Sequence, residues 1–229
     1  MPHQDLEKIA PSLWIHTQDF AMQGVEVGTR SILIEYAPEK LMLICPGPSS
    51  VPYAEHINAL GQMAHIVAPN GFHHLYLPKA AKHWPEAQVW GPGAVKKKQP
   101  DVALTQLEPD FVFPWQDTVK TLATRGTLLQ EYVFFHEASR TLVVTDLVFN
   151  VLHPKGWKAH LLTFVMGTRG KLACSRLIKR VALKDRAAFK QSLQTILKWD
   201  FERIVMAHGE VLEKNARNAF TQAMAFVLE

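Results

Sequence analysis

Three stretches of this 229-residue chain share one grammar. In IVAPNGFHH an apolar run ends and His73 and His74 follow within a few residues. In TLVVTD the run ends at Asp146, and in RIVMAHG it ends at His208. Side chains placed just past a strand are held by rigid backbone yet open onto loops. Imidazoles and one carboxylate are the donor set for zinc, iron or manganese. One histidine among eleven carries little weight, and Asp146 alone could cap a turn. The joint pattern carries the signal.

Other chemistries leave no trace. A Gly-x-Ser-x-Gly elbow is absent, and Ser139 and Ser175 have no His and acid pattern beside them. Neither a phosphate loop nor a dinucleotide Gly-rich turn appears. Asn70 has two readings: a hydrogen bond to a ligand, or the residue that shapes the turn. His136 falls in HEASR, read as an exposed hairpin tip. KKKQPD, residues 96–101, reads as a solvated basic loop.

The elements that must position these residues follow from apolar patterning. LWIHT (13–17), SILIEYA (31–37), KLMLICPG (40–47), AHIVAPN and AQVWGPG (87–93) read as strands. VPYAEHINALGQ (51–62) has helical spacing after Ser49-Ser50. HHLYLPKAAKHWP suggests a helix broken at Pro78 and at Pro85. LTQLEPD and FVFPWQD lead into TVKTLATRG as edge strands, and EYVFFHEASRTLVVTD is the clearest hairpin. From His160 the chain reads as helical. DRAAFKQSLQTILKW (185–199) has an Asp N-cap, DFERIVMAHG returns to a strand, and NARNAFTQAMAFVLE closes as a helix. Strands with interleaved and terminal helices predict an α/β or α+β sandwich.

Bulk properties set bounds. The length predicts one domain, 1–229, with a helical basic insert over about 155–198. That insert is read as amphipathic helices with a basic outer face; an anionic-ligand or membrane-surface patch is the alternative. A net charge of +4 is too mild to argue for nucleic acid. Cys45 and Cys174 read as buried thiols in a reducing compartment. MPHQDLEKIAPS has no apolar secretory core, and no run is long enough for a transmembrane helix. The cytoplasm is the expected location. Substrate and oligomeric state are not legible.

The order MLICPGPSS, IVAPNGFHH, SRTLVVTD, RIVMAHG resembles the metallo-β-lactamase fold superfamily, from about Leu13 to Leu212. APNGFHH, the SRTLVVTD hairpin and WDFERIVMAHG are similar to a bacterial branch known only as a domain of unknown function. The resemblance implies a four-layer αββα sandwich. The family's first-site histidine pair would fall on Pro69 and Gly71, and its later histidine near Gly126 to Leu128, where none stands. The family's Asp-Thr-Gly corresponds to Cys45-Pro46-Gly47. The second site matches better. Its Asp-His falls on His73-His74, its bridging aspartate on Asp146 and its last histidine on His208.

The resemblance therefore implies one divalent metal, zinc first and iron or manganese as alternatives, held by His73, His74, Asp146 and His208. Asp146 is the candidate catalytic base. His160 joins Asn70 as a candidate substrate contact. Four protein ligands would close a tetrahedral shell, whereas hydrolysis needs an open position. The expected function is a mononuclear metal-dependent hydrolase on an unidentified small molecule. The alternatives are an inactive binding or structural protein on the same fold and, last, iron redox chemistry.

Overall fold

The computed structural model describes residues 6–229. The first five residues of the stretch expected to carry no secretory signal lie outside the described residues. The chain divides into two compact units: residues up to Gln18 with Thr29–Val119, and Asp19–Gly28 with Lys120–Glu229.

The first unit is built on a seven-stranded sheet. Its strands run in the order Glu7–Ala10, Leu13–Gln18, Thr29–Ala37, Lys40–Ile44, Gln62–Val67, Gln88–Gly91, Leu104–Gln106. The first four are antiparallel and the remainder join in parallel. Parallel neighbours need a crossover, and each has a helix: Ala54–Asn58, Leu77–His83 and Gly93–Lys98. The core beneath them includes Leu43, Ile57, Ile66, Leu77, Val89 and Val95. In such sheets the loops after the carboxyl ends of parallel strands carry function. Cys45 follows Ile44 there, and Asn70, His73 and His74 follow Val67.

Three expectations need correction in this unit. Pro78 starts the helix Leu77–His83 rather than breaking it, because a missing N–H costs nothing in the first turn. Lys96–Lys98 are not loop. They form the last turn of the helix Gly93–Lys98, where cations complement the helix dipole. FVFPWQD is not a strand. Pro114 cannot donate to a ladder, and Phe113 and Trp115 instead stack at 5.2 Å beside Trp90.

The second unit carries a four-stranded sheet in the order Val119–Ala123, Tyr132–His136, Thr141–Val143, Arg203–Val205. The expected hairpin is present, with Phe134 opposite Val143 and His136 opposite Thr141. Thr141–Val143 then pairs in parallel with Arg203–Val205, Val143 against Val205. Helices Arg186–Ile196 and Ala216–Leu228 cover a core that includes Phe135, Leu142, Phe189, Leu193, Phe201 and Phe220. Asp185 caps the first of them, accepting from Ala188 N at 3.0 Å. A short hairpin joins Ala21–Met22 to Val25–Glu26, and Phe149–Asn150 pairs antiparallel with Leu172–Ala173, the connection between them running through a helix.

Two further expectations change here. His136 ends a strand and is buried, not exposed at a tip, with Nδ1 2.7 Å from Ser139 Oγ. The segment after His160 is not one amphipathic pair. A helix spans Gly156–Met166, ends at Gly167, and is followed by the strand Leu172–Ala173 and a π-helical turn over Ile178–Ala182. In the helix Gly156–Met166 only Ala159 and Thr163 are buried, while Trp157, Leu161, Phe164 and Val165 face outward.

Candidate functional site

In the first unit the site is a pair of tied loops. Gln18 lies under the loop Cys45–Ser50: its Oε1 accepts from Ser49 N at 2.6 Å and its Nε2 donates to Ser31 Oγ at 2.8 Å. Ser50 Oγ accepts from Gly47 N at 2.8 Å. A Cβ on Gly47 would stand 2.6 Å from Gln18 Nε2, so a larger residue here would have to displace the Gln18 amide from its bonds to Ser49 and Ser31. Cys45 adopts φ +57, a left-handed conformation uncommon for a residue with a side chain. Its Sγ lies 2.9 Å from His73 Nδ1.

The second loop turns on Asn70. Its side chain is fully buried, and Oδ1 accepts from Phe72 N at 2.7 Å and His73 N at 3.3 Å. This is the Asx turn that aligns the following residues. Lys98 Nζ donates to Gly71 O at 2.6 Å, and Gln99 Nε2 lies 2.9 Å from His74 Nδ1. The basic segment therefore braces the paired histidines. Burial, then the charge of Lys98, then His73 hold the His74 pKa below the ordinary histidine value.

In the second unit Asp146 and His208 follow parallel strands. His208 Nδ1 lies 2.7 Å from Gly28 O, and a carbonyl can only accept, so Nδ1 carries the proton. In the neutral ring this leaves the lone pair on Nε2, the atom 3.7 Å from Asp146 Oδ1. That gap is long for a hydrogen bond. It is near the roughly 3.4 Å expected between two ligand atoms of one tetrahedral zinc. Phe149 stacks on the His208 ring at 5.9 Å. Buried Glu131 fixes the Asp146 backbone, with its carboxylate accepting from Thr145 N at 2.7 Å and Asp146 N at 2.9 Å.

Among the described residues, His73, Asp146 and His208 form a group that could hold a metal ion. Each is half-buried and offers one ligand atom, and these atoms lie within 4.8 Å of one another. His74 is not in that group. Neither is His160, which sits in the helix Gly156–Met166 with its carbonyl accepting from Thr163 Oγ1. Sequence reasoning missed Glu131, Gln18, Lys98 and Gln99, whose roles depend on contacts distant along the chain. It read Cys45 as an inert thiol, and the left-handed backbone that brings the sulfur to His73 has no signature in Cys-Pro-Gly. Cys174 fits the buried-thiol expectation, with desolvation pushing its pKa up to about 12.

Solved structures share this fold. The chain resembles the metallo-β-lactamase from Pontibacter korlensis at 13% identity and TM-score 0.65, covering 97% of this chain and 98% of that one. It resembles the metal-soaked Flv1 flavodiiron core from Synechocystis sp. PCC6803 at 10% identity and TM-score 0.67, covering 97% of this chain and 60% of that one. The metallo-β-lactamase FIM-1 from Pseudomonas aeruginosa, in its mono-zinc form, aligns at 13% identity and TM-score 0.61, covering 96% and 94%. The metallo-β-lactamase fold expected from the sequence is thus the fold of this chain. No curated protein matches it significantly. No helix among the described residues is long and apolar enough to cross a membrane. The family model described as Domain of unknown function (DUF4336) matches residues 11–156, more than half of the sequence, and the chain belongs to that family.

Proposed function

We propose that this protein is a mononuclear metal-dependent hydrolase-like enzyme, with His73, Asp146 and His208 as ligands of one divalent ion. The observation that carries the reading is the gathering of three ligand-type side chains, the two imidazoles each with Nδ1 already engaged, by Cys45 Sγ and by Gly28 O. A bound metal would polarise an ester, amide, thioester or phosphoester oxygen and lower the pKa of a water. The donor set of two imidazoles and one carboxylate fits zinc, with iron and manganese as competitors.

The chain's own residues set the terms. Gly28 O holds His208 in the tautomer that presents Nε2. Cys45 serves His73 in the same way when Nδ1–H donates to sulfur. Asp146 has a second carboxylate oxygen that can take a proton from the attacking water. We assign His74 to the flank of the site rather than to the ligand set, which leaves a fourth position open, as catalytic zinc requires. Asn70 shapes the turn, and His160 remains the candidate for substrate contact. Two buried free thiols support a reducing, cytoplasmic location.

The test is metal content of tag-free protein by elemental mass spectrometry. Wild type and the exposed-site control His83→Ala should carry about one equivalent, and His208→Ala should lose it. A panel of activated esters, thioesters and phosphodiesters then screens for turnover. Equal metal in wild type and His208→Ala would sink the assignment. No metal in any of them, after incubation with each ion, would turn the reading to a binding protein that kept the fold.

A further inference from the structure

One segment of the second unit stands apart in charge. Residues 147–184 hold eight of the chain's 25 Lys and Arg and none of its 21 Asp and Glu. The remainder of the chain has 17 cations against 21 acids. A net charge of +4 therefore hides a strongly basic segment in an otherwise acidic protein.

The same segment exposes large apolar side chains. Trp157 is 72% exposed and Phe164 64%, with Leu161 and Val165 beside them. Positions 157, 161, 164 and 165 fall on one face of the helix Gly156–Met166. Such a stripe normally packs into a core. Leu177 and Val181, flanking and within the π-helical turn, are also exposed. Lys158 lies 5.9 Å from the Trp157 ring, and Arg176 donates to Phe164 O and Val165 O at 3.1 Å, fixing the helix end. Asp19 offsets Lys155, and Glu210 accepts from Leu152 N and His153 N, both near the start of the segment.

We infer that this face docks the protein on an anionic lipid bilayer, with Trp157, Leu161, Phe164 and Val165 entering the headgroup boundary and the surrounding Lys and Arg meeting lipid phosphates and carboxylates. Outward Trp, Phe and Leu, with Lys158 and Arg176 at the helix and further Lys and Arg in the same segment, suit an anionic interface, where buried apolar area and charge attraction add. A second copy of the chain would bring like charges together. Nucleic acid would reward the cations but not a stripe of Leu, Phe and Val.

The experiment is flotation of the full chain with vesicles of phosphatidylcholine alone or with about 30 mol% phosphatidylserine. The protein should float with the anionic vesicles and not with the neutral ones. Raising salt from about 0.1 to 0.5 M should weaken binding. Trp157→Ser with Phe164→Ser should abolish it, and each of Lys158→Gln and Arg180→Gln should weaken it about fivefold. Circular dichroism checks that these exposed-site variants fold. Absence of wild type from anionic vesicles at low salt overturns the proposal. So does equal flotation of the serine variant, or a dimer by light scattering that the serine variant dissolves.

Discussion

Asp146 and His208 each stand three residues beyond a register pair, Val143 and Val205, of two parallel strands. The strands end level, and equal offsets carry the two side chains to the same height, with Asp146 Oδ1 and His208 Nε2 3.7 Å apart. Each strand then needs its own device to hold the last residue. Glu131 serves Asp146 through two backbone N–H groups, and Gly28 O serves His208.

Gly209→Ala tests how tightly that end is held. Gly209 has φ +92, and a Cβ there would stand 2.3 Å from Asn150 O. Backbone cannot yield as a flexible side chain does. The variant should lose about 2–4 kcal/mol of stability by urea unfolding and bind metal more weakly. An unchanged midpoint would contradict the close approach.

Cys45→Ser and Cys45→Ala separate orientation from simple packing. Both keep the loop small, but alanine removes the partner of His73 Nδ1. Loss of such a supporting contact weakens metal affinity by about 10- to 100-fold. Alanine should show that loss by chelator competition, while serine should retain more affinity. Equal affinities in all three proteins would leave Cys45 a packing residue.

His65 gives a pH signature outside the candidate site. It is buried among aromatic rings, accepts from Trp90 Nε1 at 3.2 Å, and burial lowers its pKa from 6.5 to about 4. The unfolded chain therefore binds a proton that the folded chain refuses between these values. The stabilising contribution is present above pH 6.5 and is lost as pH falls toward 4, at up to about 1.4 kcal/mol per pH unit. Urea midpoints at pH 7 and 5 should diverge in wild type and converge partly in His65→Gln. Parallel acid sensitivity in both would assign the loss to other groups.

Much of this protein is local and therefore legible in its residues. The apolar runs in LWIHT, SILIEYA and AHIVAPN fall in strands because a half-buried or buried pleat accepts them, although the third strand is Gln62–Val67 and ends before Pro69. Asp185 caps its helix through a contact three residues away. Ligand types that follow strand ends mark His73, His74, Asp146 and His208 as candidates, and the sequence does not distinguish His74 from the other three. What only the tertiary structure decided rests on contacts far apart in sequence. Pairing Val143 with Val205 levels Asp146 with His208 across some sixty residues of chain. Cys45 reaches His73 only because parallel strands Lys40–Ile44 and Gln62–Val67 end side by side. Burial of His136 and exposure of Trp157 likewise reverse what composition suggests. A residue type states which bonds it can make, and only the folded sheet states which partner stands within reach.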